Sequence, residues 1–219
     1  MFKAIIFDLD DTLIDFRERK KVLIEQAVKA MIKAGLKEKF SSLHKDFTAF
    51  YWETGIEDQN IFEKFFMHRY GKVDYRILAH AVIAYRRANS VLLKPYPNVI
   101  RVLNVLKKRG IKLAVLSDAP RVNAHIRLVE VGMGGLFDTV VTFDDVGTCK
   151  PNTRGFKMVL SRLGVKASDC LMVGDNPLRD VVGARNAGIK MCLASYSCSE
   201  NVKTDYKIKN IRELLEIVG

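Results

Sequence analysis

Asp8 and Asp10 stand two positions apart, directly after the apolar run Ala4-Ile5-Ile6-Phe7. Four or five consecutive apolar residues suit a strand buried on both faces, as in a parallel sheet covered by helices. The acids then fall at the strand's carboxyl end, the edge where ligands bind in open α/β sheets. Alternate residues of an extended chain point the same way, so the pair projects together. Close carboxylates repel, which raises one pKa toward neutrality or calls for a cation between them. Either outcome serves catalysis.

Three later apolar runs also end in residues that could do chemistry. Lys112-Leu113-Ala114-Val115-Leu116 leads into Ser117-Asp118 and then Ala119-Pro120, which opens a helix. A hydroxyl and backbone N–H groups at a helix start make an anion site, although Ser and Asp are equally common as plain N-caps. Thr139-Val140-Val141-Thr142 leads into a loop over 143–149 and then Lys150-Pro151-Asn152. A lysine before a helix opposes the helix dipole, a cost that makes sense beside a phosphate; a solvated loop lysine is the plain alternative. Cys170-Leu171-Met172-Val173 ends in Gly174-Asp175, with Asp180 one turn into the next predicted helix. Acids converging on one sheet edge repel unless a hard divalent cation joins them, and oxygen-rich sites suit magnesium.

These residues need a sheet to hold them, and the pattern supplies one. From residue 93 onward the runs above, with Met191-Cys192-Leu193-Ala194, alternate with helical patterns over 98–109, 121–131, 153–163 and 178–187, and a last one near 210–218. Gly110, Gly132, Gly164 and Gly188 stand where left-handed helix ends are expected. Such alternation implies an α/β fold: a Rossmann-like parallel sheet with crossover helices, to which a first strand at 3–9 belongs. Residues 15–92 break the alternation and read as three or four helices with apolar positions at i, i+3 and i+4, the last over Ile77 to Leu92. Of the 20 aromatic residues 11 lie between Phe40 and Tyr85, a spacing that fits the core of a helical bundle. Pro95-Tyr96-Pro97 marks the return to the sheet. The expected organisation is a core of residues 1–14 and 93–219 and an inserted α-helical bundle cap of residues 15–92, a lid over the strand-end carboxylates.

Composition narrows the function classes. The 219 residues are 48% hydrophobic and 28% charged, values of an ordinary globular protein. No apolar stretch approaches a membrane span and no signal-like segment opens the chain, so a cytoplasmic protein without membrane attachment is expected. The four cysteines form no C-x-x-C pair and the four histidines no metal-binding spacing, which leaves free thiols and structural or surface imidazoles. The formal charge of +11 is spread along amphipathic helices beside acids, with no aromatic-interleaved basic tract. That reads as a solvated surface first, steering of an anionic substrate second, and not as nucleic-acid binding.

Taken in order, the strand ends resemble the haloacid dehalogenase-like hydrolase superfamily. Asp8-Leu9-Asp10-Asp11-Thr12 is similar to its D-x-D-x-T signature, Ser117 to its second motif, Lys150 to its third, and Gly174-Asp175 with Asp180 to its fourth. The position of the helical insert resembles the subclass with a C1 cap. The resemblance implies a phosphatase in which Asp8 attacks phosphorus to form an aspartyl-phosphate and Asp10 serves as acid and then base. Mg2+ would be held by Asp8, Asp175 and the backbone carbonyl of Asp10; Thr12, Ser117, Asp118 and Lys150 would bind the phosphate, with Thr12 also orienting Asp10. Arg179 stands where the fourth motif often has Asn, which gives Asp180 a supporting role behind the metal or beside Lys150.

Dehalogenation at carbon needs neither the second acid nor the metal, so Asp10 and Asp175 speak against it. A phosphoglucomutase-like phosphoryl transfer shares every core motif. Phosphonate hydrolysis would need a special cap lysine, and nothing singles out Lys20, Lys21 or Lys45. Outside enzymes stand a non-catalytic module of this fold and a basic nucleic-acid-binding protein. The expected partner is a small phosphorylated metabolite, met by a monomer or homodimer, with specificity drawn from the cap and from the stretch carrying Phe16, Arg17 and Lys20.

Overall fold

The computed structural model describes residues 2–55, 58–89, 93–198 and 202–219. In chain order its main elements are β1 (Ala4–Phe7), α1 (Phe16–Lys33), α2 (Phe40–Thr54), α3 (Ile61–Tyr70), α4 (Tyr75–Asn89), α5 (Val99–Lys108), β2 (Lys112–Leu116), α6 (Arg121–Glu130), β3 (Thr139–Val141), α7 (Phe143–Val146), α8 (Thr153–Leu163), β4 (Cys170–Gly174), α9 (Val182–Asn186), β5 (Lys190–Ala194), β6 (Tyr206–Ile208) and α10 (Leu214–Ile217). They form two compact units, Met1–Asp15 with Lys94–Gly219, and Phe16–Leu93. The end of the helix predicted over Ile77 to Leu92 lies outside the described residues.

The first unit is an α/β fold on one parallel sheet of order β3-β2-β1-β4-β5-β6. The chain grows to one side of β1, then crosses to start again at β4 on its other side. That reversal opens a crevice beyond the carboxyl ends of β1 and β4, the usual ligand position in such sheets. All four residues of β1 are fully buried, with Ile5 in register with Leu113 on one side and Leu171 on the other. Strand alternation sorts them by face. Ala4 and Ile6 join Ala114, Leu116, Met172 and Leu193 against Phe156, Val159 and Leu163 of α8. The helix lies close: a Cβ added to Gly155 would sit 2.7 Å from Leu116 Cδ1.

The four glycines expected at helix ends have φ between 64° and 75°. The loop predicted over 143–149 instead begins as α7, because Thr142 and Asp145 form a reciprocal capping box. Asp145 also binds Arg162. Burial pushes its carboxyl up, but Arg162 and Thr142 outweigh that and bring it down to about 2. The helix predicted from 178 opens as a π-helical turn, Pro177–Val181, before α9. Strand β6 is absent from the sequence reading because its three residues, Tyr206-Lys207-Ile208, carry a charge at the centre and make no apolar run.

The second unit is all helical. Phe47 stacks on Phe62 at 5.2 Å between ring centroids and meets Phe65 edge-on at 4.7 Å, inside a core that includes Ile24, Val28, Met31 and Ile77. The aromatic run over 40–85 is thus largely bundle interior. Arg69 ties the helices at the surface, binding Glu38 at 2.7 Å and Asp46 at 2.6 Å. Lys20 points its ammonium at the rings of Phe16, Tyr51 and Tyr85 and donates to Tyr85 Oη at 2.6 Å.

Candidate active site

The Asp8 N–H donates to the carbonyl of Val173, which extends the β1–β4 ladder one residue and brings the acid to the crevice. The chain then turns sharply. Asp11 has φ 62°, a left-handed value that Asp tolerates better than most side chains, and its N–H donates to the Ile14 carbonyl. Beyond the turn the chain runs beside its own return: Asp15 N–H donates to the Lys94 carbonyl and Tyr96 N–H to that of Leu13. The Tyr196 hydroxyl, just past β5, donates to the Thr12 carbonyl at 2.6 Å. The acid-bearing loop is therefore pinned at several backbone points.

Lys150 is the centre of charge. Its ammonium pairs with Asp8 and, at 2.7 Å, with Asp180, and donates to the Leu116 carbonyl at 3.2 Å. Its own N–H donates to Asp118 at 2.8 Å. Burial works against a charged lysine here, but Asp180, Asp8 and Asp118 together outweigh it and raise its pKa. Asp8 is raised well above the usual carboxylate range. Burial is the main cause, opposed by Lys150 and reinforced by Asp180 and Asp175.

Asp8, Asp175 and Asp180 each offer one carboxylate oxygen, all within 4.8 Å of one another. Asp180 is fully buried in the π-helical turn, bound by Lys150 and by the Asn176 N–H, whereas Asp8 and Asp175 each keep a small exposed edge. Two hard oxygen donors at the end of adjacent strands fit a divalent cation such as magnesium. The packing behind them is tight. A Cβ on Gly174 would overlap the Asp180 carboxylate. Gly174→Ala is therefore expected to displace Asp180 from Lys150 and to cost about 1–3 kcal/mol of stability, read as a lower denaturant midpoint.

Several sequence expectations need correcting. Asp10 does not project into the group with Asp8; its carboxylate takes a bond from Arg127 Nη1 at 2.5 Å. Thr12 donates to Asp8 Oδ2 and Asp175 Oδ1, both at 3.4 Å, rather than orienting Asp10. Helix α6 starts at Arg121 behind Pro120, with no side-chain cap, so Ser117 and Asp118 lie in the loop ahead of it. Ser117 Oγ accepts from Ala119 N–H at 3.2 Å, and the Asp118 carboxylate holds Lys150 and meets Arg179 at 3.5 Å. That carboxylate fixes the lysine loop; an anion there would meet backbone N–H groups and the Ser117 hydroxyl. Arg127 and Tyr196 were not anticipated. Tyr196 follows a strand end, the same signal that found the acids.

The model of the family described as "Hydrolase: haloacid dehalogenase-like hydrolase" matches residues 2–188. The chain belongs to the haloacid dehalogenase-like hydrolases. It is 33% identical to a glyceraldehyde 3-phosphate phosphatase of Methanocaldococcus jannaschii over 222 residues, all of this chain and 97% of the relative. It is 31% identical to the pyrophosphatase PpaX of Bacillus velezensis, covering 99% of this chain and 96% of that one. Among solved structures, a phosphatase of the family from Thermococcus onnurineus superposes with a TM-score of 0.74 at 25% identity, over 100% of this chain and 98% of that one. Within the family this chain is an enzyme of the phosphatase branch. Among the described residues no helix is long and apolar enough to cross a membrane.

Proposed function

We propose that this chain hydrolyses the phosphomonoester of a small metabolite with the aid of Mg2+, and that a three-carbon sugar phosphate is the first substrate to try. The observation that carries the reading is the convergence of Asp8, Asp175, Asp180 and Lys150 at the carboxyl ends of β1 and β4. The substrate class rests on the relative from Methanocaldococcus jannaschii, whose name gives glyceraldehyde 3-phosphate.

In this reading an Asp8 oxygen attacks phosphorus, the bond to the leaving oxygen breaks, and Asp10 gives that oxygen a proton. Water then attacks the aspartyl-phosphate, Asp10 takes a proton from it, and phosphate leaves with Asp8 restored. Lys150 and Ser117 face the non-bridging oxygens, where an ammonium and a hydroxyl stabilise charge as it gathers, while Thr12 holds Asp8 and Asp175. Bound by Asp8, Asp175 and the Asp10 carbonyl, a magnesium ion would supply charge neutralisation between nucleophile and phosphate. Asp180 and Asp118 hold Lys150 in place from behind. The helical unit, as a cap, would choose the leaving group.

The test is phosphate release with and without Mg2+ from an aryl phosphate, glyceraldehyde 3-phosphate, pyrophosphate, phosphoglycolate, sugar phosphates and nucleotides. Metal-dependent release is expected, fastest from a three-carbon phosphate. No release from any of them sinks the phosphatase reading, and faster cleavage of pyrophosphate replaces the substrate class. Conversion of a hexose 1-phosphate to its 6-phosphate without net release would indicate the mutase instead.

A further inference from the structure

Helix α6 buries an arginine. Ala124 and Leu128 face the interior, and Arg127, between them, has a side chain only 7% exposed. An arginine on the core side of an amphipathic helix is unfavourable unless its charge is met. Here it is met at 2.5 Å by Asp10 Oδ2, from a residue 117 positions away. The two strand-end acids thus have different cations. Asp8 is held by Lys150 from the loop before α8, Asp10 by Arg127 from α6. The grouped acids are Asp8, Asp175 and Asp180, and the Asp10 carboxyl, held by Arg127, is not one of them.

We propose that Arg127 is a positioning residue for Asp10: its guanidinium sets where the proton carrier sits during transfer to the leaving oxygen. This rests on the reading of Asp10 as acid and base above. A guanidinium suits the task because it keeps its charge at all working pH values and its planar fork fixes a carboxylate in direction as well as distance. Proton transfer tolerates little displacement. A shift of about 1 Å in a catalytic group costs about 10²-fold in rate.

The experiment compares Arg127→Met and Arg127→Lys with the parent, full-length and in Mg2+, on p-nitrophenyl phosphate and on an alkyl phosphate such as glycerol phosphate. Nitrophenolate leaves without a proton, whereas an alkoxide needs one, and kcat/KM reports the step that expels either. In Arg127→Met the alkyl kcat/KM is expected to fall about 10²-fold further than the aryl value, the loss residing in kcat rather than KM. Arg127→Lys, which keeps a cation without the fork, should fall between, and carries the comparison if the methionine variant does not fold. In an Asp10→Asn background, Arg127→Lys should leave the alkyl-to-aryl ratio unchanged. Equal losses on both substrates, or a further change in that background, overturn this proposal alone. A parent enzyme that cleaves neither substrate overturns the phosphatase reading and this proposal together.

Discussion

Asp8→Asn is expected to leave no measurable turnover, a loss on the order of 10⁴-fold or more, and yet to melt at a higher temperature than the parent at neutral pH in the absence of divalent metal. The first half follows from chemistry. An amide nitrogen or oxygen cannot take the place of a carboxylate that attacks phosphorus without first losing a proton. The second half follows from the surroundings. Asp8 is buried with two further carboxylates, Asp175 and Asp180, inside 4.8 Å, and burial raises its carboxyl well above the usual range despite Lys150. A group that holds its proton more tightly when folded stabilises the fold most below its unfolded pKa of 3.8, and that contribution is lost as pH rises through the folded value. Relative to Asp8→Asn, the parent should therefore lose stability as pH rises. The gap closes near pH 3, where the aspartate is neutral in both states, and narrows when Mg2+ is added, since a cation bound only by the folded site stabilises it. The Lys150 ammonium keeps Asp180 and the Leu116 carbonyl in the variant, so it is not stranded. Scanning calorimetry at pH 3 and pH 7 reads the difference; a parent more stable than Asp8→Asn at pH 7 without metal contradicts the account.

What could be read from the sequence is what local patterns encode. Runs such as Ala4–Phe7 and Leu171–Val173 are apolar throughout because both faces are covered, so their ends, and the residues just past them, are legible in the sequence. Asp8, Ser117 and Asp175 are all of this kind; Lys150 lies farther on, past α7, and is marked instead by the proline that follows it. Partners across space are a different matter. Helix α6 carries apolar residues on two sides: Ala124 and Leu128 are buried, while Val122, Ile126 and Val129 are 55–69% exposed. With two apolar stripes the buried face cannot be chosen from periodicity, and Arg127 reads as solvated. The same limit applied to Asp10. Alternation says that residues 8 and 10 start on one side of an extended strand, but strand β1 ends at Phe7, and the left-handed turn at Asp11 with the pull of Arg127 sends the second acid elsewhere. Asp180 looked like a residue one turn into an α-helix. Its π-helical turn and the bare Cα of Gly174 instead let a fully buried carboxylate reach Lys150.

Lys150→Met is expected to destabilise the fold by about 3–5 kcal/mol at neutral pH and to remove activity, and the two effects can be separated. The lysine side chain is 4% exposed and its partner Asp180 is wholly buried, so removing the ammonium leaves Asp180 and Asp8 facing each other without the cation between them. Removing one member of a buried pair costs more than the pair contributed, because the remaining charge cannot be hydrated. Neutralising that charge should recover the loss. Lys150→Met with Asp180→Asn is expected to regain most of the stability, a coupling of up to about 3 kcal/mol in a double-mutant cycle of urea midpoints. Turnover should not return, because the double variant still has no ammonium for the phosphate oxygens; a loss of 10²-fold or more, of the order that removal of one charge-stabilising donor produces, is expected to persist. The reverse pattern, with activity returning alongside stability, would mean that Lys150 serves only to neutralise Asp180.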